Sequence, residues 1–517
     1  MVSRIACVGG GPGGLFFATL LKQADPSVEV TVFERNRQDD TFGFGVVFSD
    51  ATLAGIHAAD PVLRTALAEH GRHWDDIEVR LKGQRIRCGG NGMAAITRRT
   101  LLQLLHRRAA EVGVDLRFSH EVPADPAQLA DYDLIVAADG ANSRFRDRLA
   151  DVLVPEAEVA TAKFIWFGTT YPFDGLTFVH EHGPHGTFAV HGYPISDGVG
   201  TFIVETDEES WRRAGLDEFD TSQPPGPSDG KTKAYLEKLF AEQIDGHELL
   251  VNNSRWGNFR TRRTRRWHSG DVVLLGDAAH TAHFSVGSGT KMAMEDAIAL
   301  AGSLLAHRDD LPAALEAYEA AARPSVEKIQ ASARPSLSWW EHFGRYHDAF
   351  EPTRFVFHFL SRSIGKDRIA RRDPEFVEQV VGDWRAAHEG RDPLETPLRV
   401  GGQEFAGRRV TGADLAGVAC LSLTAPEDEA RLPAVYEELA GAVSGTTPPQ
   451  LVAVHAGTAL TRQLLAEQAR LVHGVPALIV EDGMDDDRAE TLLLSGRADL
   501  VGSTEADLVG STEEGRA

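Results

Sequence analysis

The stretch "RIACVGGGPGGLFFATLL", residues 4–21, constrains this chain more than any other. A short apolar run leads into Gly9-x-Gly11-x-x-Gly14, and a helical apolar pattern follows at once. A second strand-like run, "VEVTVFER", then brings Glu34 twenty residues after Gly14. Each residue type has a physical task. Gly9 permits a tight turn, Gly11 admits a pyrophosphate close to the backbone, and Gly14 lets the helix pack on the strand. The helix N-terminus then faces the phosphates, and Glu34 can accept hydrogen bonds from ribose hydroxyls. A glycine fingerprint alone is weak. With strand, helix, second strand and acid around it, it predicts a dinucleotide-binding βαβ unit; the competing reading is a glycine-rich turn without a ligand. Cys7, inside the first strand, reads as a small buried apolar residue.

Two more strands end in acids. "DLIVAADGANSRFR" is an apolar run over residues 134–138 that closes on Asp139-Gly140, with Ser143 and Arg144 behind it. "VVLLGDAAHTAHFSVGSGTKMAMEDAIAL" is an apolar run over 272–275 that ends at Gly276-Asp277, then a glycine-containing loop and a helical pattern. Asp-Gly after a strand is a common turn in isolation. It gains meaning from its place between the other two motifs. The sequence shows no second dinucleotide fingerprint.

Composition narrows the class. A chain of 517 residues, 42% of them apolar, has material for two to four domains. A net charge of -23 argues against a nucleic-acid or membrane-surface binder. Three separated cysteines, Cys7, Cys88 and Cys420, form neither a disulfide framework nor a metal-ligand spacing. With no signal-like or membrane-length apolar stretch, a soluble, reducing, cytoplasmic setting is expected.

Between residues 159 and 256, "KFIWFGTTY", "GLTFVHEH", "GTFAVHGYP" and "VGTFIVETD" are aromatic and β-branched runs separated by turn residues, which predicts an antiparallel sheet. A helical segment is expected near 231–244. The chain returns through "NSRWGNFRTRRTRRWHSG", residues 253–270, with six arginines and no acid. Arg260, Arg262, Arg263, Arg265 and Arg266 could pair with the protein's own carboxylates, or grip a phosphate-rich substrate group, which guanidinium forks suit. A nucleic-acid stripe is disfavoured by the surrounding negative charge. His280 and His283 have no third ligand nearby in sequence, so no metal is expected. The cluster "SLSWWEHFGRYHDAFEPTRFVFHFL", residues 336–360, has helical spacing and reads as packing.

The three motifs in this order resemble the single-component FAD aromatic hydroxylases, the para-hydroxybenzoate hydroxylase-like family, over roughly residues 1–390. The strings "FGFGVVFSD", "FGTTYPFDGLTF" and "GDAAHTAHFSVGSGTKMAMEDAIALA" are similar to a narrower branch, the salicylyl-CoA 5-hydroxylase and 2-aminobenzoyl-CoA monooxygenase group. The resemblance implies an α/β fold: an FAD-binding Rossmann-like domain (1–158 and 257–390), an inserted antiparallel-sheet substrate domain (159–256), and a short C-terminal α/β module (391–517). It implies that FAD is held, noncovalently, by Gly9, Gly11, Gly13, Gly14, Glu34, Arg35, Val47, Arg98, Asp139, Gly140, Asp277, Gly287, Gly289 and Thr290. Asp277 would take the ribityl chain, and NADH or NADPH would visit as a transient reductant. His283 and Phe284 would face the flavin, Phe284 standing where the family often has proline. The strand "FGFGVVFSD" lacks the arginine that some relatives place beside the flavin.

The implied activity is hydroxylation of the ring of an aryl-CoA thioester with O2 through a flavin C4a-hydroperoxide, the arginines binding the CoA phosphates. Two alternatives stay open: a hydroxylase or epoxidase of a free aromatic or polyketide-like metabolite, and an FAD-binding protein without turnover. From residue 401 onward there are 19 acidic and 8 basic residues. The ends of this region resemble the start and finish of an old-yellow-enzyme-like barrel, but its length is too short for a full one. A shortened module serving stability or homodimer formation is expected. The tandem copies of "ADLVGSTE", at 498–505 and 506–513, are expected to be mobile or helical.

Overall fold

The computed structural model describes residues 2–41, 43–50, 53–220, 226–284 and 289–502. Two compact units separate: residues 1–85 with 90–344, and residues 86–89 with 345–517.

The first unit is built on a six-stranded sheet. Its strand order is His268–Ser269, Val272–Leu274, Leu134–Ala137, Arg4–Val8, Glu29–Phe33, Asp115–Arg117. All neighbours are parallel except the outermost pair, His268–Ser269 with Val272–Leu274. The inner strands are buried along nearly their whole length, as the uninterrupted apolar runs require of a sheet covered on both faces. From Arg4–Val8 the chain moves to Glu29–Phe33 on one side and later returns to Leu134–Ala137 on the other. The order therefore reverses at the first strand. Ligands of open α/β sheets bind in the crevice beyond the carboxyl ends of strands at such a point.

A second sheet is mainly antiparallel. Pro155–Thr169, Val199–Thr206, Gly186–Ser196 and Leu176–Gly183 run antiparallel in that order, and Ile77–Leu81 adds a parallel strand. Gly257–Thr264 pairs with the first half of Pro155–Thr169, so the sheet continues past residue 256 into the arginine-rich segment. Period-two alternation divides its residues. Ile165, Phe167, Val190, Phe202 and Val204 form one core with Leu236 and Phe240 of the segment that begins with helix Gly230–Leu239. The alternate residues His191, Tyr193, Ile203 and Glu205 occupy the opposite face. There Tyr193 and Ile203 cluster with Ala95 and Ile195, bordered by Phe44, Val47, Trp74 and Phe284.

Trp339 and Trp340, near the end of the long helix Leu311–Ala349, are buried. Trp340 lies 4.8 Å from the His191 ring and 6.3 Å from that of Phe178, so this part of the aromatic cluster is packing, as its spacing predicts.

The second unit carries the helices Pro352–Leu360 and Pro374–Ala387 and an open four-stranded parallel sheet: Cys420–Thr424, Leu451–His455, Ala477–Val480, Leu500–Gly502. Helices Leu432–Val443, Ala459–Glu467 and Asp486–Leu494 connect successive strands. The last strand corrects one expectation. The first "ADLVGSTE" copy is neither mobile nor helical where it is described, because Leu500, Val501 and Gly502 pair with Leu478, Ile479 and Val480 and are buried. The second copy lies outside the described residues. Among the described residues no helix is long and apolar enough to cross a membrane.

Candidate active site

The glycine turn is fixed by backbone contacts. Gly9 has φ +118, and a Cβ there would stand 2.1 Å from the Ala138 carbonyl oxygen. A Cβ at Gly14 would stand 2.4 Å from the Gly9 carbonyl oxygen, and one at Gly13 would meet Leu275 and Ala293. Gly13 and Gly14 are thus contact points for helix Pro12–Ala24, the first of them against helix Gly289–Ala306. At Gly11 a Cβ would meet nothing within 4 Å. The backbone is open there, as an approaching pyrophosphate needs.

One cleft gathers several expected residues at the carboxyl ends of the strands. Gly9, Gly11, Glu34, Arg35, Asp139 and Gly140 all line it. Glu34 accepts from the Gly10 N–H through one oxygen (2.9 Å) and from the Asn36 N–H through the other (2.8 Å). Asp139 accepts from the Arg144 N–H (2.8 Å), while its second carboxylate oxygen is buried without a hydrogen-bond partner. A buried, unsatisfied acceptor beside an open glycine turn fits a ligand that donates there.

The third motif sits on the neighbouring strand. Strand Val272–Leu274 runs beside Leu134–Ala137, so Asp277 emerges at the same sheet end as Asp139. Arg146, buried, donates to the Ala141 carbonyl (3.1 Å) and the Ala278 carbonyl (3.2 Å), clamping the two turns together. Asp277 is exposed as a residue, yet protein buries its carboxyl. That burial pushes its carboxyl above the ordinary range, against the pull of His280 and Arg98 and with Asp296 adding to the rise. Arg98, at the start of helix Arg98–Glu111, is held below the ordinary guanidinium range by burial, with Asp277 opposing. Neither side chain makes a hydrogen bond or ion pair with a described residue. The two act on each other through charge, without a direct bond between them. Gly289 and Thr290 open helix Gly289–Ala306, Val47 borders the aromatic cluster, and Gly287 lies outside the described residues.

His280 and His283 turn to different carboxylates. His280 Nε2 is 2.8 Å from Asp296, and His283 Nε2 is 3.4 Å from Glu205. Phe284 stacks on His283 (4.4 Å) and meets Phe164 (5.2 Å) and Trp166 (5.4 Å).

The five arginines do not converge. Strand alternation puts Arg260 and Arg262 on one face of Gly257–Thr264 and Arg263 on the other. Arg263 pairs with Glu158 (3.2 Å). The Arg262 guanidinium donates to Asn142 (3.4 Å), over the Asp139-Gly140 turn. Arg265 and Arg266, beyond the strand, line a separate groove with Asp151, Val152 and Val154. The backbone is laced to the third motif: Thr264 Oγ1 donates to the Ala279 carbonyl (2.6 Å) and Thr281 Oγ1 to the Arg260 carbonyl (2.6 Å).

Asn36, His120 and Glu121 also line the cleft and lie outside the quoted motifs, while Asn142 and Phe145 line it from within the Asp139 motif, which singled out neither. Arg146 follows Arg144 by two positions, but only the fold reveals its clamp.

Residues 3–333 match the family model described as FAD binding domain. The chain belongs to this family, and it is an FAD-dependent monooxygenase of the aromatic-hydroxylase kind. A salicyloyl-CoA 5-hydroxylase from Streptomyces sp is 60% identical over 97% of this chain and 100% of that protein. A 5-monooxygenase of 3-hydroxy-4-methyl-anthranilyl on an aryl-carrier protein, from Streptosporangium sibiricum, is 39% identical over 65% of this chain and 89% of its own length. The fold is shared with p-nitrophenol 4-monooxygenase from Pseudomonas putida: TM-score 0.55, 16% identity, 74% of this chain and 98% of that one.

Proposed function

We propose that this enzyme hydroxylates the aromatic ring of an aryl-CoA thioester of the salicyloyl-CoA type, using NADH or NADPH and O2. The observation that carries the reading is the 60% identity, over nearly the whole chain, to a protein named for that substrate. A second relative is also named for an aromatic group held on a carrier.

The residues present fit FAD. Gly11 would offer open backbone to the pyrophosphate, Glu34 and Asp139 would offer carboxylate acceptors, and Asp277 and Arg98 would hold the ribityl chain. When bound, FAD supplies the electron relay from NAD(P)H and the activation of O2. The protein's part is to orient the ring and keep water away from the reacting atoms. Phe284, Phe44, Val47, Trp74 and Tyr193 supply the apolar wall for this. His283 is the proposed polar contact to the ring substituent. Titrating the yellow protein with the thioester and with the free acid, while following flavin absorbance, tests the substrate class. The thioester is expected to perturb the spectrum at lower concentration; equal response to the free acid favours the free-metabolite reading.

Arg260 and Arg262 are the proposed phosphate contacts, since they share a strand face. Arg260→Ala/Arg262→Ala is expected to raise the apparent thioester constant on the order of tenfold or more, with maximal rate and FAD content little changed. Contacts remote from the ring bind ground and transition state alike. Arg263→Ala, which loses only an exposed ion pair with Glu158, is expected to leave that constant unchanged. Steady-state kinetics on the two variants checks the pair. Equal behaviour removes the arginine face from the account.

A further inference from the structure

On the face of the second sheet that carries Tyr193 and Ile203 lies a carboxylate that the motifs do not explain. Glu205, on strand Val199–Thr206, is buried, and each of its oxygens faces a different imidazole. His191 Nε2 of the adjacent strand is 2.6 Å from one oxygen, and His283 Nε2 of the third-motif loop is 3.4 Å from the other. Around this trio the walls are aromatic. Phe178 (4.6 Å) and Trp340 (4.8 Å) pack on His191, and Phe259 (4.9 Å) and Phe284 (4.4 Å) pack on His283. Phe164 is paired directly across from Glu205, and His180 stands beyond Trp340. An isolated carboxylate in such surroundings is costly. Here burial raises its pKa, but the two imidazoles outweigh burial and hold it below the ordinary range.

We propose that Glu205 is a positioning residue for the hydroxylation: it ties sheet residue His191 to loop residue His283, and through the stacked pair His283–Phe284 it sets the ring that borders the Tyr193–Ile203 cluster. Three features support this. The bridge joins elements 78 residues apart in sequence, Glu205 and His283. It ends on the loop that also carries Asp277. Phe284 touches both imidazoles, at 4.4 Å from His283 and 5.8 Å from His191. A carboxylate can accept from two imidazole N–H groups at once. A glutamine at the same place has one acceptor and one donor, so one imidazole must change tautomer or let go.

The proposal rests on the hydroxylase reading, and its test keeps the two apart. Wild-type protein that fails to oxidise NAD(P)H faster with any aromatic substrate refutes the hydroxylase reading itself. Given a responsive wild type, Glu205→Gln is expected to keep its FAD and its substrate-stimulated NAD(P)H oxidation. Its yield of hydroxylated product per NAD(P)H should fall several-fold, with hydrogen peroxide making up the difference. A merely structural defect would instead lower FAD content and NAD(P)H oxidation together with product. His283→Gln is expected to lose coupling likewise, and the double variant to fall no lower than the worse single variant, because both act through the shared Glu205–His283 link. Wild-type coupling in Glu205→Gln, or additive losses in the double variant, overturns the proposal. Should Glu205→Gln not fold, wild-type coupling in His283→Gln overturns it alone.

Discussion

Asp277→Ala is expected to yield a folded protein that has lost most of its FAD. Asp277 is exposed as a residue, but protein crowds its carboxyl, which makes no hydrogen bond to any described residue. Ligand hydroxyls would satisfy it; nothing described in the protein does. Loss of charge-assisted hydrogen bonds worth about 3 kcal/mol lowers affinity on the order of a hundredfold. The apoprotein should not suffer. Burial raises the Asp277 pKa, so whatever stability the group contributes is present in its protonated state at acid pH and is lost as pH rises through the folded-state value. At neutral pH the variant apoprotein should melt no lower than the wild-type apoprotein. The flavin-to-protein absorbance ratio and thermal melts of both apoproteins check this. Full flavin content in Asp277→Ala would show that the third motif is not a cofactor contact.

Gly9→Ala should be worse, and for a different reason. Its φ of +118 is one that L side chains rarely adopt, and the added Cβ would stand 2.1 Å from a backbone oxygen of the adjacent strand end. Backbone cannot swing aside as a side-chain tip can. The cost is several kcal/mol, enough to unfold a marginally stable domain. Little soluble protein is expected. Gly11→Ala is the control, because its Cβ meets nothing within 4 Å and its φ of -77 is ordinary. That variant should fold and bind FAD more weakly. Soluble yield, circular dichroism and flavin content distinguish the two, and a folded, fully yellow Gly9→Ala protein would refute the turn assignment.

These contrasts show what the sequence makes legible. Gly9, Asp139 and Asp277 stand at ends of short apolar strands, and local backbone demands fix their roles within a few residues. The pairing of Glu205 with His191 and His283 is a different kind of fact. It needs strand register and the approach of a distant loop, so "FIVETD" and "HGYP" reveal a strand and a turn but not a buried carboxylate between imidazoles. The arginines were legible as a run and not as a cluster. Alternation along Gly257–Thr264 sends Arg262 and Arg263 to opposite faces, and Glu158 claims the latter. In the C-terminal unit, "CLSLT" is a strand of five residues inside a Pro/Gly/Ala-rich stretch, too short for its pattern to stand out, and its partner Leu451–His455 decides it. The same holds for the first "ADLVGSTE" copy, whose strand is set by pairing with Ala477–Val480 rather than by its own composition.

The most direct test of the account is aerobic turnover by the purified yellow protein with NADH or NADPH, comparing salicyloyl-CoA with free salicylate and following nucleotide oxidation and product mass together. The account predicts that the thioester accelerates nucleotide oxidation strongly and leaves a product heavier by one oxygen atom on the ring, while the free acid does neither. Hydroxylation of the free acid as readily as the thioester, or no ring oxygenation of either, would contradict it.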